Sequence, residues 1–287
     1  MSITIRPITN DDKEICGRIV YEAFKGIAEQ HNFPLDFPVA EAGQHFAEMW
    51  INHPSIYGVV AEEDGQFIGS NFLTERNPIR GVGPITVSPQ VQSRGAGRKL
   101  MEAVIERGKD ALGIRLVQDA FNTKSMSLYA SLGFDVVEPL ALMAGKPTGE
   151  IPKYVEVRPM QNEDLSQCEE LCKKAHGFER TNELRDAIAA FKPFVAIRDG
   201  RITAYSSTVS FWPLNHGVAE TEGDMHALLL GASAQIEEPL AFLLPTRQAS
   251  FHRWSLKSGL RMVKPMTLMA MGKYQEPNGC WFASVEY

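Results

Sequence analysis

Gly95 and Gly97, with Arg94, Arg98 and Lys99 crowded around them in "SRGAGRK", combine backbone freedom with positive charge. Glycine permits positive φ and close approach of another group to the main chain. The segment that follows reads as a helix, so the turn also offers unpaired N–H groups and the positive end of a dipole. Together these make an anion site suited to a phosphate or pyrophosphate. A dinucleotide fingerprint requires a third glycine where Leu100 stands, and a Walker loop requires Gly-Lys-Ser/Thr where Arg98-Lys99-Leu100 stands. The plainer reading of the same residues is a helix start whose glycines serve only the turn.

Proton-transfer chemistry has fewer candidates. Glu75, just after a strand, and Asp119, inside one, are possible general bases, although a carboxylate is ordinarily solvated or ion-paired. His31 in "EQHNFPLDFP" is a third, with a loop residue as its plainer reading. Phe33, Phe37 and Asp36 of the same stretch either line a pocket or cap a helix pair. Cys168, Cys172 and His176 share one helical face, but no further ligand converges on them. They read as buried reduced thiols with no metal.

Strands and helices must position these groups. A strand is expected at 3–6, helices within 11–53, hairpin strands at 58–63 and 67–74, and a strand at 82–87. A helix at 95–111 follows, then a strand at 115–121, a helix at 123–132 and a strand at 134–144. Leu100, Met101, Val104, Ile105 and Leu112 fall on one face of the long helix, with Arg98, Glu102, Glu106 and Lys109 opposite. This order gives an α/β (α+β) layer fold.

The chain then repeats itself. "ITIRPITNDD" at 3–12 matches "VEVRPMQNED" at 155–164, setting Cys16 against Cys168. "GVVAEEDGQFIGS" at 58–70 matches "PFVAIRDGRITAY" at 193–205, each a hairpin around Asp-Gly. "LYASLGFDVVEPLALMAGK" at 128–146 matches "WSLKSGLRMVKPMTLMAMGK" at 254–273. Three blocks in one order mean two copies of one fold. They are expected at 1–146 and 153–287, joined by "GKPTGEIPK".

The 287-residue chain carries a net charge of −6, which argues against a general nucleic-acid binder. No apolar run is long enough for a membrane span, and "MSITIRPITNDD" lacks the pattern of a signal peptide. Four cysteines are too few for a disulfide scaffold, so a cytoplasmic location is expected.

Two motifs resemble a known family. "VSPQVQSRGAG" at 87–97 is similar to motif A of the GNAT N-acetyltransferases, whose core is Gln/Arg-x-x-Gly-x-Gly/Ala. "NTKSMSLYASLGF" at 122–134 is similar to that family's motif B, one helix and one strand later. The resemblance implies two tandem GNAT-like domains, each a mixed, mostly antiparallel sheet flanked by helices. It implies acetyl-CoA as acetyl donor, with the backbone of Ile85, Thr86 and Val87 pairing with the pantetheine arm. N–H groups of Gln92, Ser93, Arg94, Gly95, Ala96, Gly97 and Arg98 would hold the pyrophosphate. Asn122 would contact pantetheine, and Tyr129 would lie near the thioester sulfur as proton donor. Glu75 is the expected base, with Asp119, His31 or a water relay as alternatives.

The second copy is expected to lack this site. Residues 218–232 hold no Gly-x-Gly, and no Lys or Arg occurs from 202 to 246. Glu220, Glu222 and Asp224 stand where a pyrophosphate would need cations. That segment either is a solvated acidic loop, the plainer reading, or lends acidic groups, Glu220 among them, to an acceptor cleft also lined by Phe33 and Phe37, favouring a cationic substrate. The terminal "CWFASVEY" ends on an aromatic whose carboxylate can fold back, although termini are ordinarily loose. The resulting expectation is direct acetyl transfer to a small-molecule amine by a monomer or homodimer with no nucleic-acid or membrane partner. The alternatives are a silent acyl-CoA-binding sensor and a protein N-acetyltransferase.

Overall fold

The structure is a computed structural model that describes residues 2–91 and 95–286. In chain order the first repeat has β1 (Ile3–Pro7), α1 (Lys13–His31), α2 (Ala40–Asn52), β2 (Ile56–Glu63), β3 (Gln66–Thr74), β4 (Ile79–Val82) and β5 (Thr86–Val87). Then come α3 (Ala96–Gly108), β6 (Gly113–Asp119), α4 (Thr123–Ser131) and β7 (Asp135–Gly145). The second has β8 (Val155–Pro159), α5 (Leu165–His176), α6 (Thr181–Ala190), β9 (Phe194–Arg198), β10 (Arg201–Ser206) and β11 (Gly217–Ala219). It continues with α7 (Glu222–Ser233), β12 (Leu240–Pro245), α8 (Ala249–Lys257), β13 (Arg261–Gly272) and β14 (Cys280–Phe282). Contacts divide the chain into two compact units. One holds residues up to Leu116 and Phe121–Asp135; the other holds Val117–Ala120 and the chain from Val136 on.

In the first unit β1, β2, β3 and β4 are sequential antiparallel neighbours, and β4 pairs in parallel with the start of β6. β3 is buried on both faces, and the polar Ser70 and Asn71 at its centre find partners inside the fold. Ser70 meets the thiol of Cys16 on α1 at 3.4 Å, whereas Asn71 donates to the Leu100 carbonyl of α3 at 3.3 Å. Successive side chains of one strand thus face different helices.

The expected strand at 82–87 is broken into β4 and β5. Pro84 has no N–H to give a ladder, so pairing lapses around it. Leu112 also departs from expectation: α3 ends at Gly108, and Leu112 beyond it is 55% exposed. Helical periodicity binds a residue to a face only while the helix lasts.

In the second unit β14, β11, β10, β9 and β8 form a five-stranded sheet. Cys168, Leu171 and Leu184 of α5 and α6 pack with Val195, Tyr205 and Val218, while α7 and α8 pack with Phe194, Ala196 and Ala204. β7, which closes the first repeat in sequence, belongs to this unit. It pairs antiparallel with β12 from Leu240↔Gly145 to Pro245↔Leu140, and Ala141 and Met143 join Phe242 and Leu244 in one core. The repeats and the packing units therefore divide the chain differently.

The matched blocks are matched in atoms. Arg6 grips Asp12 with two hydrogen bonds of 2.8 and 2.7 Å, and Arg158 grips Asp164 with two of 2.7 and 2.8 Å. Each aspartate also accepts a main-chain N–H three residues earlier, from Thr9 or Gln161, at 2.8 Å. The shared Arg-Pro-x-x-Asn-x-Asp is thus a clamp between the end of a strand and the start of a helix. Cys16 and Cys168, one turn further on, are both fully buried.

Candidate active site

β5 pairs with β3 through Gly69↔Val87 and Ser70↔Thr86. The parallel pairs of β4 with β6 run from Ile79↔Gly113 to Gly81↔Arg115. The next turn of chain leads into α3. Gly95 is its N-cap with φ of 93°, a left-handed conformation that glycine adopts at little cost. Among the described residues no side chain caps this helix, and its first turn carries no acid. A helix start of this kind can receive an external anion through its N–H groups and dipole. Gln92, Ser93 and Arg94, expected in the same cradle, lie outside the described residues.

Three elements converge here. A Cβ built on Gly97 would lie 3.5 Å from Leu128 Cδ2 on α4 and 3.9 Å from Val87 Cγ2. Arg98 donates to Ser131 Oγ at 2.7 Å, tying α3 to α4. Asn122 is the N-cap of α4, its carboxamide oxygen accepting the Ser125 N–H at 3.2 Å. Tyr129 on α4 is 6% exposed and meets Phe134 edge-on, with centroids 6.4 Å apart. Lys99 turns away: it donates to the Ile3 carbonyl at 2.7 Å. It supports β1 and adds no charge to the turn, which sequence proximity alone does not reveal.

The expected acceptor residues separate. Phe33 stacks on Phe121 at 4.2 Å, next to Asn122, and the His31 ring lies 5.1 Å from Phe121. Phe37 instead sits between Phe24 and Phe46, both at 5.5 Å, and Phe46 stacks on Trp50. It packs α1 against α2.

Glu75 is not brought to this corner. Its carboxylate accepts two hydrogen bonds from Arg107, at 3.0 and 2.9 Å, in the last turn of α3. That turn is roughly 15 Å along the helix from Gly97, at about 1.5 Å per residue. Along β3, Glu75 is also roughly 15 Å from the residues that pair with β5, at about 3.3 Å per residue. Asp119 is ion-paired with Lys264 at 2.7 Å. Both carboxylates are held by cations. His31 remains, with Nδ1 2.9 Å from the Ile27 carbonyl; donation there leaves Nε2 as a proton acceptor.

The second copy differs at the equivalent place. Eight residues separate Val87 from Ala96, of which 92–94 lie outside the description, but only Glu220 and Thr221 separate β11 from α7. The phosphate loop is absent. Thr221 caps α7 by accepting the Asp224 N–H at 3.1 Å. Buried Asp224 accepts from Arg198 at 2.9 Å and from Thr203 at 2.9 Å. Burial works to raise its pKa, but these hydrogen bonds and that from Thr221 outweigh it and hold it low. Glu220 accepts from Arg201 at 3.1 and 3.2 Å and lies 3.5 Å from Arg198, so its pKa falls as well. The expectation of a negative cleft here is corrected. The cations come from β9 and β10, just upstream of the stretch free of Lys and Arg.

Cys168, Cys172 and His176 are all buried. Burial pushes both thiols up, Cys172 to about 11, and pushes His176 down to about 3, so the histidine is neutral at pH 7. No helix among the described residues is long and apolar enough to cross a membrane.

The model of the acetyltransferase (GNAT) family matches residues 20–134, which span the α3 turn, Asn122 and Tyr129. That segment is similar to the GNAT family, and the chain as a whole shares its fold with solved structures of that family. Solved structures share the GNAT fold along the whole chain. A protein of Pyrococcus horikoshii designated a candidate acetyltransferase is 18% identical, with a TM-score of 0.77 over 99% of this chain and 94% of its own. A GCN5-related N-acetyltransferase of Sphaerobacter thermophilus is 16% identical, with a TM-score of 0.63 over 96% of each chain. A tandem GNAT protein from the clavulanic acid biosynthesis pathway is 13% identical, with a TM-score of 0.59 over 96% of this chain and all of its own. A search of curated protein sequences finds no significant match.

Proposed function

We propose that the protein is an acetyl-CoA-dependent N-acetyltransferase that moves the acetyl group directly to a small-molecule amine. One observation carries the reading. Among the described residues the N-terminus of α3 is left uncapped beside Gly95, whereas its counterpart α7 is closed by its own Thr221 and Asp224. An uncapped positive helix end next to a glycine turn suits a pyrophosphate. Gly95, Ala96, Gly97 and Arg98 hold it through main-chain N–H groups, and Ile85, Thr86 and Val87 present their backbone to the pantetheine arm beside Asn122.

The acceptor ammonium, with an ordinary pKa of about 10.4, first loses a proton. His31 Nε2 takes it, or takes it through water. The amine nitrogen then attacks the thioester carbonyl: the C–N bond forms, the C–S bond breaks, and the nitrogen sheds a second proton that passes through water to restore the hydroxyl of Tyr129 after it has acted. The departing thiolate, whose thiol has an ordinary pKa near 8.5, takes a proton from the Tyr129 hydroxyl. Alignment of the two reactants contributes much of the rate. Phe33 and Phe121 form an apolar wall for the acceptor side. Four buried, unpaired cysteines support a reducing compartment, and we place the enzyme in the cytoplasm as a monomer or homodimer.

The test is release of CoA thiol from acetyl-CoA against a panel of amines, aminoglycosides, amino acids and polyamines, with peptides as a separate arm. Turnover with a small amine supports the reading. Acetyl-CoA binding with turnover on peptides alone, or on nothing, refutes it in favour of a protein acetyltransferase or a silent sensor.

A further inference from the structure

In the second unit the C-terminal strand lies between β11 and β12. β14 pairs antiparallel with β11 through Gly217↔Phe282, Val218↔Trp281 and Ala219↔Cys280. On its other side Ala283 bridges to Leu243 of β12, its N–H donating at 3.0 Å. Gln248, the N-cap of α8, clasps the main chain of Trp281: Nε2 donates to its carbonyl at 2.7 Å and Oε1 accepts its N–H at 3.3 Å.

The internal repeat identifies each of these walls. The match of 58–70 to 193–205 sets Gly69 and Ser70 against Ala204 and Tyr205. Their partners across the sheet are Val87 and Thr86 in one copy and Ala219 and Val218 in the other, so β11 is the counterpart of β5. The match that sets Leu128 against Trp254 sets Asn122 against Gln248, and each stands at the N-cap position of the helix after it. A pantetheine arm carries two secondary amides, and a short strand carries the same donors and acceptors at similar spacing. We propose that Cys280–Ala283 is a built-in peptide surrogate for that arm, occupying the cosubstrate slot of the second copy.

The seat is shaped for this occupant. A Cβ on Gly217 would lie 2.3 Å from the Phe282 ring, so only glycine leaves room. Beyond the strand, buried Arg180 donates to Ser284 Oγ at 2.8 Å and the Val285 N–H donates to the Pro213 carbonyl at 2.8 Å. Ser284 and Glu286 are buried, while Tyr287 lies outside the described residues. The inference rests on the equivalence of the copies and on main-chain contacts; catalysis by the first copy is not needed for it.

The experiment places a protease site in the irregular stretch 273–279 of the full chain and cuts it after purification. The C-terminal peptide should co-elute with the body. After its removal in mild denaturant, a synthetic peptide of residues 279–287 should rebind, one per chain. The same peptide N-methylated at Trp281 and Ala283 should bind at least about 10-fold more weakly, because both N–H groups are used. Equal binding of the methylated peptide means that side-chain packing alone holds the segment and overturns the proposal. So does failure of the unmodified peptide to bind a chain that keeps its circular dichroism. Hydrogen exchange on the uncut protein tests the same contacts without cleavage. Gln248→Ala should speed exchange at Trp281 about 10-fold or more while Ala283 stays protected, and unchanged exchange at Trp281 overturns it. Neither readout uses acetyl transfer, so failure here is distinct from failure of the proposed activity.

Discussion

Tyr129 and Gly95 are the residues on which the proposed chemistry is most open to test. Tyr129→Phe keeps the ring against Phe134 and removes only the hydroxyl, so folding should hold. If that hydroxyl protonates the thiolate, kcat should fall about 10²-fold while calorimetric affinity for acetyl-CoA is unchanged. Unchanged kcat would leave Tyr129 as a packing residue. Gly95→Asp imitates the acidic, self-capped start of α7. A capping carboxylate gains about 1 kcal/mol, and a left-handed φ at a non-glycine costs about as much, so the melting temperature should move little. The introduced charge repels a phosphate, and CoA affinity should fall by about 10-fold or more. Affinity as in the parent would place the pyrophosphate elsewhere. At this level the sequence showed the glycines, Asn122 and Tyr129 because their types and spacing are local. It did not show that Lys99 turns to Ile3 or that Arg107 takes Glu75, because each partner comes from a distant part of the chain.

Strands and helices meet at the two Arg–Asp clamps, and these give the fold an acid-sensitive joint in each copy. The hydrogen bonds from Arg6 and Arg158 hold Asp12 and Asp164 below the usual carboxylate range. A depressed folded pKa stabilises above the ordinary value, about 3.9, and that contribution is lost as pH falls through the lower folded value. Asp12→Asn and Asp164→Asn should each cost about 1–3 kcal/mol at pH 7, the scale of a hydrogen bond to a charged group. Urea titrations should show the gap from the parent closing as pH is lowered below about 4. A gap of constant size would mean that the clamp acts without its charge. Both clamps were legible as a repeated Arg-Pro-x-x-Asn-x-Asp. The break at Pro84 and the end of α3 at Gly108 were not, since apolar periodicity continues past both points.

For the whole molecule the expectation is one acyl-CoA per chain. The second copy has lost the loop before α7, closed that helix on Asp224 and filled the slot with β14. Calorimetric titration with CoA should give a stoichiometry of one, and two equivalent sites would contradict the account. Duplication, the α/β order of elements, the glycine turn before α3 and the short connection before α7 could be read from the chain alone, because each is written in types and spacing of nearby residues. Glu220 and its neighbours looked like free negative charge in that reading, because Arg198 and Arg201 precede the acidic segment and reach it only across the sheet. Three further features needed the folded chain: the pairing of β7 with β12, the packing of Phe37 between α1 and α2, and the seating of residues 280–283 between β11 and β12. Apolar strands of similar composition can pair with many edges, and which pairing wins depends on the summed burial of residues far apart in sequence.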